Sequence, residues 1–260
     1  MKIIEFKVGK ANASVVGYLH HVPEEPVLGH SIRPAILICP GGAYRFCSER
    51  EAEPVALAFL SAGFQAFVLN YSCGDDIKRS NPLREVAETI DEIKKHSEEW
   101  YVEREKIAVC GFSAGGHLAA SLATLYKTMP ELDCKPSLSV LCYPVISSDP
   151  AIANEHSFQN IAMGDEEVRV YLSLDKRVVE DTVPTFIWHI RHDSGVNVGN
   201  TLKYINALWE NGVDFEAHIF EDGPHGISLC NQEVNTPYEN TKVWFELALK
   251  YLSTKWDWVI

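Results

Sequence analysis

Runs of consecutive apolar residues recur along the chain at 35–39, 66–69, 107–110, 138–142, 185–189 and 215–220. Apolar runs without alternation predict strands buried on both faces, as in a parallel sheet. Between them the spacing turns helical: 53–62 carries Val55, Leu57, Ala58 and Leu60, and 82–100 carries Leu83, Val86, Ile90 and Ile93. Further helices are predicted over 114–126, 198–209 and 240–252. Strand and helix thus alternate at βαβ spacing. The expected class is α/β, a three-layer αβα sandwich around a mostly parallel sheet. Segments 3–8 and 14–20 read instead as an antiparallel hairpin at the sheet edge. From 147 to 183 no buried strand is predicted, only short amphipathic pieces at 157–163 and 166–174. A long insertion between sheet strands commonly caps a site; a peripheral helix in a linker is the plainer alternative. All 260 residues are read as one domain.

Composition changes this picture little, with 46% hydrophobic and 23% charged residues. No apolar run approaches the roughly 20 residues of a membrane helix. The start, Met1-Lys2-Ile3-Ile4-Glu5-Phe6-Lys7, has no signal core, so a cytoplasmic protein is expected. A net charge of −13, from 23 Lys and Arg against 36 Asp and Glu, repels phosphate backbones and anionic lipid. Neither nucleic acid nor membrane is an expected partner. Seven cysteines lack zinc-like pairing, and Cys39, Cys110 and Cys142 end apolar strands, where a thiol acts as a small hydrophobe. His189-Ile190-Arg191-His192 is the nearest approach to a metal motif and has no further spaced ligand, so no metal or cofactor is expected. The aromatic tail 256–260 is open to packing on the body or on a second subunit of a homodimer.

The chemistry centres on Cys110-Gly111-Phe112-Ser113-Ala114-Gly115-Gly116-His117-Leu118, a Gly-x-Ser-x-Gly run between a predicted strand and a predicted helix. Such a turn places the serine in a strained conformation at its apex, in front of a helix start with free N–H groups. Five residues alone are weak support, so the rest of an acyl-transfer site must be found elsewhere. Of the ten histidines, His189 and His218 lie inside predicted strands, and His20, His21, His30, His96, His117 and His156 lie in or near early elements or the insertion. His225 lies in Gly223-Pro224-His225-Gly226, a loop leaving the 215–220 strand, and is the candidate base. Asp193, just past the 185–189 strand, is the candidate to orient it, with Asp222 and Asp165 as rivals. Oxyanion donors are expected from the amide of Ala114 and from Gly41 and Gly42 in Cys39-Pro40-Gly41-Gly42-Ala43-Tyr44. Tyr44 and Arg45 are candidates to line the substrate pocket, with simple packing as the alternative.

These stretches, with Arg50-Glu51-Ala52-Glu53-Pro54-Val55-Ala56, resemble the α/β-hydrolase superfamily, in its small esterase/lipase-like branch related to bacterial acetyl-xylan and feruloyl esterases. The resemblance covers nearly the whole chain. It implies Ser113, Asp193 and His225 as a triad and Gly41, Gly42 and Ala114 around the oxyanion. There are departures. Pro40-Gly41-Gly42-Ala43 stands where many relatives carry His-Gly-Gly-Gly, Asn197 replaces a proline after the acid, and Arg191-His192 precedes Asp193. The implied function is a serine carboxylesterase removing small acyl groups, acetyl first, from sugar or xylo-oligosaccharide esters. An amide hydrolase of formamidase or peptidase type and a non-catalytic binding protein on the same scaffold are the alternatives.

Overall fold

In the computed structural model, which describes residues 1–22, 32–221, 223–232 and 237–258, eight strands form one sheet. They are β1 (Lys2–Val8), β2 (Ala13–Leu19), β3 (Arg33–Cys39), β4 (Gln65–Asn70), β5 (Val102–Phe112), β6 (Leu138–Cys142), β7 (Thr185–Ile190) and β8 (Phe215–Phe220). The spatial order is β1-β2-β4-β3-β5-β6-β7-β8. β1 and β2 pair antiparallel, β2 joins β4 antiparallel, and every later pairing is parallel. Asp222, one of the rivals to Asp193, lies outside the described residues, as do His30 and the terminal Val259 and Ile260.

Because side chains alternate across a strand, a buried parallel sheet supplies two cores. Leu37, Val109, Leu141 and Ile187 pack in one with α2 (Pro82–Lys95), α3 (Ala114–Leu125) and α6 (Gly199–Glu210). Ile38, Cys110, Val140 and Trp188 pack in the other with α1 (Glu53–Ser61) and α8 (Trp244–Trp256). Trp256 and Trp258 of the aromatic tail are buried against this second core. A short helix α7 (Glu239–Lys242) precedes α8, so the helix predicted over 240–252 is broken at Val243.

Three further expectations need correction. The 215–220 strand is not buried on both faces. It is the outer strand β8, half-exposed along its length, because no neighbour pairs with its free edge among the described residues. The helix predicted over 82–100 stops at Lys95, and Tyr101 adopts φ 54° where the chain turns into β5. β5 itself starts at Val102, earlier than its apolar run, since the charged residues 103–106 face outward and hide the strand from a hydrophobicity reading. Among the described residues no helix is long and apolar enough to cross a membrane.

The segment between β6 and β7 forms two helices, α4 (Glu155–Ala162) and α5 (Glu166–Tyr171). Each begins at a side-chain cap: Asn154 accepts from Ser157 N–H, and Asp165 accepts from Glu167 and Val168 N–H. Asp165, a rival for the orienting carboxylate, is therefore spent on a helix start.

Candidate active site

β5 ends at Phe112 and α3 begins at Ala114, leaving Ser113 alone to make the turn, with φ 53° and ψ −116°. The turn is held by Ser113 N–H donating to Cys142 O at 3.0 Å and by its carbonyl accepting from Val145 N–H at 3.1 Å. Small flanking residues are needed for contact rather than flexibility. A Cβ on Gly111 would lie 2.1 Å from Gly115 O, and one on Gly115 would lie 2.1 Å from Cys39 O. A non-glycine residue with positive φ held this firmly marks stored strain of the kind found at functional sites.

His225 reaches this serine from the loop after β8. Ser113 Oγ–H donates to His225 Nε2 at 2.8 Å, and His225 Nδ1–H donates to Asp193 Oδ2 at 2.7 Å. Gly195 makes room for the ring, since a Cβ there would meet His225 Cγ at 2.6 Å. Asp193 Oδ1 accepts from the N–H groups of Gly195 at 2.7 Å and Val196 at 2.9 Å, so both oxygens are engaged. Burial pushes the Asp193 carboxyl up, but the imidazoles of His189 and His225 and the Val196 amide outweigh it and hold the group well below the usual carboxylate range. Ionised Asp193 fixes the tautomer of His225 with its free lone pair toward the serine. The structure thus brings Ser113, His225 and Asp193 into one hydrogen-bonded row at the carboxyl ends of β5, β8 and β7.

His189, inside β7, is fully buried behind this row. Its Nε2–H donates to Val196 O at 2.9 Å, its Nδ1 accepts from Thr201 Oγ1–H at 2.7 Å, and Nε2 lies 3.6 Å from Asp193 Oδ2. Arg191 and His192, adjacent in sequence, are exposed. Asn197 closes the loop by accepting from Gly199 N–H at 2.8 Å, at the start of α6.

The glycine-rich loop after β3 lies against the serine, as expected, but not with the expected donors. Gly41 N–H donates to Glu51 Oε2 at 2.8 Å and is not available to a ligand. A Cβ on Gly41 would meet that oxygen at 2.6 Å and Phe112 O at 2.9 Å. Gly42 and Ala43 follow with φ 129° and 54° and line the cavity in front of Ser113. Ala114 opens α3, where the first N–H groups have no partner within the helix.

That cavity has a volume of about 250 Å³, and Phe46, Arg50, Asn154, His156 and Ser157 are among its walls. Tyr44 and Arg45 are not. Tyr44 is buried, its hydroxyl donating to His117 Nδ1 at 2.8 Å, and it lines a separate, more apolar cavity of about 480 Å³ beside Leu118, Ile161 and Tyr171. Arg45 is exposed. The segment 147–183 bonds to the loops around the serine: Asn160 Nδ2 donates to Ala43 O at 2.7 Å and Asn154 Nδ2 to Gly195 O at 2.8 Å. Among the described residues no group of three or more His, Cys, Asp or Glu could hold a metal ion.

Sequence reasoning missed Glu51. It stands in the charged stretch Glu49-Arg50-Glu51-Ala52-Glu53, is named only within the residues that carry the resemblance, and its side chain is buried. Its partners, Gly41 and Tyr143, are 10 and 92 residues away, so the residues beside it in sequence do not show what it holds.

Residues 25–140 match the family model described as BD-FAE. The chain is 33% identical over 215 residues to endo-1,4-beta-xylanase B of Butyrivibrio fibrisolvens, a match covering 77% of this chain; the chain spans only 33% of that relative's length. The structure of an acetyl ester-xyloside bifunctional hydrolase from Caldicellulosiruptor lactoaceticus is similar at TM-score 0.82 and 33% identity, over 94% of this chain and 88% of that one. An alpha/beta hydrolase enzyme from a Medee basin deep-sea metagenome library is similar at TM-score 0.80 and 30% identity, over 99% and 98%.

Proposed function

Because this chain belongs to the α/β-hydrolases, in their branch of small esterases, we propose that it is a serine carboxylesterase acting on small acyl esters. The observation that carries the reading is the row from Asp193 through His225 to the Ser113 hydroxyl, opening on a cavity. In this reading Ser113 Oγ attacks the ester carbonyl carbon while its proton passes to His225 Nε2. Asp193 keeps hold of Nδ1–H and stabilises the imidazolium that forms. The carbonyl oxygen becomes negative in the tetrahedral intermediate and accepts from Ala114 and Gly42, near the positive end of α3. Gly41 acts indirectly, since its own amide is committed to Glu51. The intermediate collapses, the alcohol leaves with the proton from His225, and the acyl group stays on Ser113 as an ester. Water then attacks that ester with His225 again as base, and the carboxylic acid is released.

A cavity of about 250 Å³ with Arg50, Asn154 and His156 among its walls supports a short acyl group and a polar alcohol. The acetyl-ester and xyloside activities named for the Caldicellulosiruptor protein support acetyl and sugar as those two parts. Helix α4, bonded to the loops around Ser113 through Asn160 and its cap residue Asn154, serves in this reading as a cap, with α5 packed beside it. Turnover of p-nitrophenyl acetate, compared with the Ser113→Ala variant, tests the reaction class; the variant is expected to lose about 10⁴-fold or more. Rates on acetylated xylo-oligosaccharides, longer-chain esters and an N-formyl amide test the substrate. No turnover by the unaltered protein, or equal turnover by the variant, would overturn the proposal.

A further inference from the structure

Glu51 lies at the back of the Ser113 cavity, in the turn before α1, and takes no part in the steps above. Enclosing a carboxylate is costly unless its lone pairs are used, and both oxygens here are. Oε2 accepts from Gly41 N–H at 2.8 Å, and Oε1 accepts from the Tyr143 hydroxyl at 2.8 Å. Tyr143 stands directly after β6 with φ 37°, a strained value for a bulky residue. Its hydroxyl oxygen in turn accepts from Ser228 N–H at 2.8 Å, three residues beyond His225. The Tyr143 ring also packs edge-on against the His225 ring, with centroids 5.1 Å apart. Ser228 closes the circuit, its hydroxyl donating to Arg50 O at 2.7 Å. A continuous chain therefore runs from the oxyanion loop, through Glu51 and Tyr143, to the loop that carries the base. Burial raises the Glu51 carboxyl, while the bonds from Tyr143 and Gly41 and the neighbouring His225 and Arg50 favour its ionised form.

We propose that Glu51 is a positioning residue that sets the oxyanion loop and the His225 loop in register with each other. It pins the Gly41 amide, so the loop cannot rotate and Gly42 presents its N–H to the reacting oxygen. Through Tyr143 the same carboxylate holds the segment behind His225. The inference rests on the serine-esterase reading. A purely structural Glu51 would change the amount of folded protein; a positioning Glu51 changes how the folded protein treats the transition state.

The experiment compares Glu51→Ala, Glu51→Gln and Tyr143→Phe with the unaltered enzyme on p-nitrophenyl acetate, alongside inhibition by a trifluoromethyl ketone. That ketone forms a tetrahedral oxyanion adduct on a nucleophilic serine. Glu51→Ala is expected to lower kcat by about 10²-fold with KM little changed, the size of a lost oxyanion donor. Its affinity for the ketone should fall in step with kcat/KM. Glu51→Gln, whose oxygen can still hold Gly41 N–H, should recover part of both losses. If Glu51→Ala does not fold, Glu51→Gln and Tyr143→Phe must still show parallel losses in kcat/KM and ketone affinity. Folded variants with kcat within threefold of the unaltered enzyme, or with ketone affinity unmoved, would overturn the inference alone. Full turnover in Ser113→Ala would overturn the esterase reading and this inference together.

Discussion

Replacing Asp193 by asparagine alters one terminal atom and should nearly abolish turnover. Asp193 Oδ1 accepts two backbone N–H groups, from Gly195 and Val196, while Oδ2 accepts from His225 Nδ1–H. In asparagine one of these positions becomes NH₂, which only donates. Turned toward Gly195 and Val196, the NH₂ would leave two amides without an acceptor, at about 1–3 kcal/mol each. The side chain of Asp193 has no exposed surface, so water cannot relieve the conflict. The amide oxygen therefore stays on the backbone and the NH₂ faces His225. Nδ1 must then accept, the ring proton moves to Nε2, and Nε2 can no longer take the proton of Ser113. A serine protease triad forced into this tautomer loses about 10⁴ in kcat, which corresponds to about 5 kcal/mol of barrier. The assay is steady-state hydrolysis of p-nitrophenyl acetate at neutral pH, with thermal melting to verify folding. A folded Asp193→Asn protein with more than a tenth of the original kcat would refute the tautomer argument. A second consequence follows from linkage. The carboxyl of Asp193 is lowered on folding, so it contributes stability that is present above its unfolded pKa of about 3.9. That contribution is lost as pH falls toward the lower folded value.

Gly41→Ala places a Cβ 2.6 Å from Glu51 Oε2 and 2.9 Å from Phe112 O, so kcat/KM should fall about 10²-fold and melting should drop; unchanged kinetics would contradict the packing reading of this loop. His117 is buried between Tyr44 and Leu172, and burial pushes its pKa down to about 4. The unfolded chain takes up this proton near pH 6.5 and the folded one only near pH 4, so stability should decline across that window as pH falls, by about 3 kcal/mol. His117→Asn should show a flatter curve of unfolding free energy against pH, and an equally steep one would count against the assignment. Cys47 and Cys73 are partly exposed and the other five cysteines are buried, and the hydrogen bond with Cys47 and burial push the Cys73 thiol up. A thiol reagent should therefore react first at Cys47, more slowly at Cys73 and with the rest only after unfolding; a uniform rate for all seven would contradict this burial pattern.

Much of the fold can be read from the chain because most sheet strands are buried on both faces and therefore appear as unbroken apolar runs. The same rule misled at Phe215–Phe220, where Glu216 and His218 bond to each other at 2.9 Å on an edge strand. Which strand ends a sheet depends on spatial order, and hydrophobicity along a strand carries little of that. The row of Ser113, His225 and Asp193 is legible because each lies within five residues of a strand end, and Ser113 and His225 stand among glycines. Tyr44 was misplaced since its partner, His117, is 73 residues on, and their pairing turns the ring away from the serine toward another cavity. The engagement of Gly41 was hidden for the same reason. Its acceptor, Glu51, is a buried carboxylate held also by Tyr143, which is bonded in turn to the Ser228 loop.

The claim that matters most is that Ser113 is a nucleophile activated by His225. Labelling with a fluorophosphonate, followed by peptide mass mapping, reads this with no assumption about substrate. A single adduct on Ser113, absent in Ser113→Ala and slowed at least about 10²-fold in His225→Gln, is the predicted result. An unlabelled protein, an adduct on another residue, or equal labelling without His225 would contradict it.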